Sequence, residues 1–217
     1  KKHLQDVPEK NILCEPIQKN TAASIALGSF TIYKENKKAK ILVCPSDHLI
    51  TNHKKFKEIC LKSFEHLHHT DQITTIGIKP KTAHTGYGYI KTIKSKNNEI
   101  TQVQEFKEKP NKKTAQIFLK SKNYLWNSGI FIFSAKKIIE EYKLHQNEIY
   151  LSFEKILNDD TFNIKECFSN INNISFDYAI LEKAKKISVL KTNMEWNDLG
   201  SYSSLYKEMK KSEFNNA

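Results

Sequence analysis

Residues 41–50 read ILVCPSDHLI, and the reading of the chain turns on them. Ile41 to Cys44 form an apolar run of the kind that fills a buried strand. Pro45 stops the run, and Ser46, Asp47 and His48 follow. To its N-terminal side, Ala22, Ile25, Ala26, Phe30 and Tyr33 recur at helical spacing, with Asn20 or Thr21 placed to cap them. To its C-terminal side, a second helical pattern extends from about His53 to His69, and ITTIGIK is again strand-like. With NILCEP (11–16) as an opening strand, the order is strand, helix, strand, helix, strand. That alternation predicts an α/β fold with crossover helices and a largely parallel sheet. Ligands of such sheets sit beyond the carboxyl ends of the strands, and Asp47 stands two residues past Pro45 at one of these ends. A carboxylate there can hold a metal or a sugar hydroxyl. Alternatively, Ser46 or Asp47 caps the next helix.

Beyond residue 80 the pattern changes. TGYGYIKTIK and ITQVQEFKEK read as neighbouring strands across the polar turn SKNNE. A short helix follows, with Ala115, Phe118 and Leu119 on one face, and then the apolar strand SGIFIFSA. Two helices carry Ala135, Ile138, Ile139 and Tyr142, then Ile149, Phe153, Ile156 and Leu157. FDYAILEKA reads as a helix begun behind Ser175, ISVLKT as a late strand, SYSSLYKEMKK as a last helix, and SEFNNA as a frayed tail.

Composition narrows the class. The chain has 217 residues, 39% hydrophobic and 27% charged, enough for one sizeable core. No apolar run reaches the length of a membrane helix. The chain opens on Lys1 rather than Met, so a missing leader carries no information. The formal net charge is +11, yet every basic residue is lysine. Without arginine's forked donors, sequence-specific nucleic-acid binding is not expected, and the lysines read as a solvated coat with a general attraction for anions. Cys14, Cys44, Cys60 and Cys167 show no metal spacing. Cys14 and Cys44 lie in apolar runs, so buried thiols and a cytoplasmic setting are expected. His66, His68 and His69 fall mostly beside the apolar stripe of their helix rather than forming a metal cluster.

Five loops carry polar residues where chemistry could occur. EPIQKNTAAS sets a polar loop at a helix start. TGYGYI places Gly86, Tyr87 and Gly88 ahead of a strand. EFKEKP ends a strand on Glu108 and Lys109. WNSGIFIF begins with Asn127, Ser128 and Gly129, and WNDLGSY holds Asp198 between strand and helix. Each has an ordinary explanation as turn or cap chemistry.

In order, EPIQKNTAASIAL, LVCPSDHLI, TIGIKPKTAHTGYGYI, FKEKPNKKTA, YLWNSGIFIFSA, ISFDYAILEK and WNDLGSYSSL resemble the mannose-1-phosphate guanylyltransferases, or GDP-mannose pyrophosphorylases, over most of residues 12–206. The resemblance implies a Rossmann-like nucleotide-diphospho-sugar transferase fold, with a mixed, mostly parallel central sheet flanked by helices. It implies one partial nucleotidyltransferase domain over residues 1–217. The family's glycine-rich phosphate loop, with its arginine and lysine, is expected upstream of residue 1. The implied reaction joins GTP and mannose 1-phosphate into GDP-mannose and pyrophosphate with Mg²⁺. Asp47 and Asp198 would be the Mg²⁺ ligands, since this hard ion needs only one or two carboxylates beside water and phosphate. Lys109 would meet the sugar phosphate, and Glu108 and Asn127 the mannose hydroxyls. Residues 86–88 would lie against the sugar ring, and Glu15, Asn20 and Thr21 would hold the nucleoside. Lys19 stands where the family usually has arginine, and His48 reads as structural. GTP and mannose 1-phosphate are thus the expected partners, with no nucleic acid and no membrane, and a homo-oligomer is compatible with the resemblance. The alternatives are another sugar-1-phosphate nucleotidyltransferase, or a non-catalytic relative that binds a nucleotide sugar.

Overall fold

The computed structural model describes residues 4–93, 99–158, 163–200, 202, 205–206 and 209. The expected SKNNE turn and the last helix over 201–211 fall largely outside them, and the SEFNNA tail wholly so. The described elements are α1 (Asn20–Glu35), β1 (Lys40–Val43), β2 (Leu49–Ile50), α2 (His53–Thr70), β3 (Ile73–Ile78), β4 (Tyr89–Thr92) and β5 (Ile100–Lys107). They continue with α3 (Lys112–Ser121), β6 (Tyr124–Ser134), α4 (Ala135–His145), α5 (Asn147–Asn158), α6 (Ile164–Ser169), β7 (Ile187–Thr192) and β8 (Trp196–Asn197). Chain contacts divide into two units. One holds residues up to Ile41 with Asp71–Ile73 and Phe133–Ile187. The other holds Leu42–Thr70, Thr74–Ile132 and the residues from Ser188 on.

The first unit is mainly helical. α1 turns Ala22, Ala23, Ala26, Leu27 and Phe30 inward, and its small residues let α4 and α5 approach. Phe30 meets Tyr150 and Phe153 of α5 at 5.9 and 6.1 Å between ring centroids. Tyr142 of α4 is wholly buried and donates its hydroxyl to Ala22 O at 2.7 Å, so its burial leaves no polar atom unpaired. Helix α4 is capped by Ser134, whose Oγ accepts the Lys137 N–H. Ser175 opens the FDYAILEKA helix as expected, but its hydrogen bonding over Asp177–Leu181 is that of a π-helix.

Two expectations fail in this unit and its neighbour. NILCEP forms no strand: Glu9–Asn11 make a 3-10 turn and the following residues are irregular. A strand requires a partner for its ladder, and this segment has none; it runs beside α1, where Leu13 and Glu15 line a cleft with Leu27 and Thr31. Cys14 is consequently exposed. Cys44 is exposed as well, because β1 ends at Val43 before the thiol is covered.

The second unit holds nearly all of the six-stranded sheet, in the order β1-β6-β3-β7-β5-β4. The sheet is mixed, with helices packed on it, but it contains more antiparallel pairing than the first half of the sequence suggests. The β3–β6, β4–β5, β4–β6 and β5–β7 registers are all antiparallel. A crossover helix makes its two strands parallel neighbours only if nothing inserts between them, and here β6 lies between β1 and β3. β3 and β7 do run in parallel, with Lys79 N–H reaching Thr192 O at 2.9 Å just past their ends.

Because β4 also pairs with β6, the strands β6, β3, β7, β5 and β4 form a closed circuit. Side chains alternate across it. Tyr89, Trp126 and Leu190 join the larger core with Ile59 and Leu67 of α2 and Ala115 and Phe118 of α3. Their sequence neighbours Ile90, Leu125 and Val189 form a smaller core with Val103 and Phe106. Gly77 of β3 belongs to that smaller side. A β-carbon there would come within 2.6 Å of Leu125 Cδ1 and 2.7 Å of Val189 Cγ2, so only glycine lets the strands close.

Candidate active site

Among the described residues, a two-stranded sheet gathers the residues of most chemical interest. β2 and β8 pair antiparallel, Leu49 opposite Asn197 and Ile50 opposite Trp196. Asp47 lies two residues before Leu49 and Asp198 one residue after Asn197. The ladder therefore delivers two carboxylates, far apart in sequence, to one end of one small hairpin-like pair. At its other end, Thr51 Oγ1 donates to Glu195 Oε2 at 2.5 Å and braces the two chains.

His48 stands between the acids. Its Nδ1 accepts the indole N–H of Trp196 at 3.1 Å, which leaves Nε2 as the protonated nitrogen, 3.9 Å from Asp47 Oδ1. Burial lowers its pKa, while the charges of Asp47 and Asp198 both pull it up. Asp47 itself is 80% exposed. Asp198 is half-buried, and its Oδ1 accepts the Tyr87 hydroxyl and the Gly200 N–H, each at 3.1 Å. Those bonds leave Oδ2 for another partner. Among the described residues no group of three or more His, Cys, Asp and Glu side chains could enclose a metal. The pair does suit Mg²⁺, which takes one or two carboxylates and completes its shell with water and phosphate oxygens.

A second convergence follows from strand register. Tyr89 faces Lys107 of β5 and Trp126 of β6, so the preceding residue, Gly88, falls between Glu108 and Asn127. Asn127 N–H donates to Gly88 O at 2.8 Å. A β-carbon on Gly88 would lie 3.4 Å from Asn127 Cβ and collide with the Glu108 carboxylate. Gly88, Glu108 and Asn127 thus form one polar wall. Lys109 continues it: its backbone has φ of 40°, and its exposed amine is 4.0 Å from Glu108 Oε1. Tyr87 points its ring into a stack on His84, at 3.8 Å and 20°.

Glu15, Asn20 and Thr21 belong to the first unit, where they line a cleft of about 390 Å³ with Gln18, Ser24 and Asn173. Asn20 sits at φ 65° at the start of α1, with its Oδ1 accepting the Thr21 N–H at 2.8 Å. The Thr21 hydroxyl accepts the Phe176 N–H at 2.8 Å, so it also anchors the chain entering the π-helix. Lys19 reaches Ile171 O at 2.8 Å and acts as a local tether. Beside the predicted residues of the second unit the structure also places His48, Trp196 and His84, none of them singled out for a chemical role by the sequence, and His48 keeps the structural part expected of it as acceptor of the Trp196 indole N–H. The first two lie inside PSDH and WNDLGSY, and adjacency to the two acids was the available signal.

A family model described as nucleotidyl transferase matches residues 1–214. The chain is 33% identical to a mannose-1-phosphate guanylyltransferase of Escherichia coli, over 97% of this chain and 47% of that protein. It is 37% identical to the mannose-1-phosphate guanylyltransferase RfbM of Salmonella typhimurium, over 90% of this chain and 42% of that one. The crystal structure described as a mannose-1-phosphate geranyltransferase from Thermus thermophilus superposes with a TM-score of 0.83 at 27% identity, over 90% of this chain and 56% of that chain. The chain spans about half the length of the curated relatives it matches. The match over nearly the whole chain places it: the chain belongs to the nucleotidyl transferase family.

Proposed function

We propose that the protein is a mannose-1-phosphate guanylyltransferase of the cytoplasm, which joins GTP and mannose 1-phosphate into GDP-mannose and releases pyrophosphate. The observation that carries this reading is the delivery of Asp47 and Asp198 to one end of the β2–β8 ladder. A sugar phosphate must attack the α-phosphorus of a nucleotide in line, so two anions approach each other, and catalysis is mainly placement and charge neutralisation. A bound Mg²⁺ would supply Lewis acidity to the phosphate oxygens. Asp47 and Asp198 would hold it. Tyr87 and Gly200 keep the Asp198 carboxylate in one orientation. Glu108 and Asn127 would accept and donate hydrogen bonds at the sugar hydroxyls, with Gly88 allowing the ring to approach the backbone. Lys109 would neutralise the sugar phosphate as a mobile point charge. The cleft at Glu15, Asn20 and Thr21 would take the nucleoside. The names of the curated relatives support the choice of guanine and mannose.

Pyrophosphate release tests the reading. GTP with mannose 1-phosphate should give the fastest turnover among the common nucleoside triphosphates paired with mannose or glucose 1-phosphate. Asp198→Asn should slow that turnover on the order of a hundredfold or more, the usual effect of losing transition-state charge stabilisation, with the fold intact by circular dichroism. Equal rates with UTP and glucose 1-phosphate would replace the specificity, and an unaffected Asp198→Asn variant would remove the cation site.

A further inference from the structure

Tyr87 belongs to both convergences described above. Its hydroxyl donates to Asp198 Oδ1 at 3.1 Å. Its ring is held from several directions: stacked on His84 at 3.8 Å, and meeting Trp126 and Trp196 edge-on at 5.1 Å each. Its backbone is flanked by Gly86 and Gly88, and Gly88 is wedged between Glu108 and Asn127. The rings give the side chain little freedom to move independently of its backbone. A shift of residues 86–88 as a ligand settles on them is therefore carried to the carboxylate at the far end of the phenol.

We propose that Tyr87 is a positioning residue coupling the sugar-phosphate subsite to Asp198, so that a sugar 1-phosphate and a divalent cation each strengthen binding of the other through the Tyr87 hydroxyl. The proposal rests on the reading of Glu108, Gly88 and Asn127 as the sugar wall and of Asp47 and Asp198 as the cation ligands. Such coupling is reciprocal: the factor by which the sugar phosphate raises cation affinity is the factor by which the cation raises sugar-phosphate affinity. A phosphate oxygen bound directly to the cation would also couple the two ligands, but that effect needs no phenol and survives its removal.

The test uses Mn²⁺ as the cation and mannose 1-phosphate as the sugar phosphate, with no nucleotide, so that nothing turns over. Free Mn²⁺ is read by electron paramagnetic resonance with and without the sugar phosphate. The wild-type protein should bind Mn²⁺ about fivefold or more tightly once mannose 1-phosphate is present. In Tyr87→Phe, which keeps every ring contact, the factor by which mannose 1-phosphate raises Mn²⁺ affinity should fall close to one, whatever the variant's affinity for each ligand alone. A Tyr87→Phe protein with the wild-type factor overturns the proposal. If wild type binds both ligands but neither affects the other, the coupling falls and the site reading stands. If it binds neither, both fall. The chain's two tryptophans both touch the Tyr87 ring, which provides a second readout. Adding mannose 1-phosphate without cation should shift their emission, and an unchanged spectrum contradicts the transmitted movement.

Discussion

Gly88 shows how much can depend on one missing β-carbon. Its position between Glu108 and Asn127 leaves no room for a methyl group without displacing the Glu108 carboxylate. Gly88→Ala should therefore rotate Glu108 off the wall and cost about one hydrogen bond to a charged group. That loss corresponds to roughly tenfold weaker mannose 1-phosphate binding. Calorimetric titration measures it, and unchanged affinity would exclude Glu108 from the sugar contact. The sequence displayed the glycine pair of TGYGYI and the carboxylate of EFKEKP, but the collision between them depends on β4 lying between β5 and β6. Lys19 illustrates the opposite case. Sequence likeness drew attention to it as a substitution for arginine, and the structure ties its amine to Ile171 O instead.

At the scale of elements, the helices and most strands follow from apolar spacing. Ala115 and Phe118 are buried on α3, Ile149, Phe153 and Ile156 on α5, and β3 is buried along its whole length. NILCEP deceived because an apolar run states that a segment could pair, not that a partner exists. The parallel reading deceived for a similar reason, since strand order is a property of the assembled sheet. α2 adds a feature that periodicity cannot show. His66, on its flank, hydrogen-bonds Ser188 Oγ of β7 at 2.9 Å. Burial, and secondarily the charge of His69, lower its pKa in the folded protein. The unfolded chain thus holds more protons in the window just below the unperturbed value of about 6.5, so stability rises with pH across that window and is lost as pH falls through it. His66→Gln should flatten this part of the profile, measured as the difference in urea midpoint between mildly acidic and neutral pH. An identical slope in the variant would show that His66 titrates as it does when unfolded.

At the scale of the whole molecule, a net charge of +11 carried by lysine alone gives a long-range attraction for anions without forked, shape-reading contacts. Specificity must then come from local walls and clefts, and the product of the proposed reaction should find them. GDP-mannose at about a hundredfold its dissociation constant should stabilise the protein by roughly 2.7 kcal/mol, seen as a higher melting temperature. UDP-glucose at the same concentration should do markedly less, and equal stabilisation would argue against guanine and mannose. The sequence by itself determined the α/β class, the order of most elements and the loops in which polar residues collect, because these follow from local propensity and side-chain period. Tertiary structure alone decided that β6 separates β1 from β3, that five strands close a circuit around Ile90, Leu125 and Val189, and that Tyr87 reaches Asp198. Those facts depend on pairing between segments distant in the chain. Such pairing is selected by the fit of many side chains at once, and no single stretch of sequence contains it.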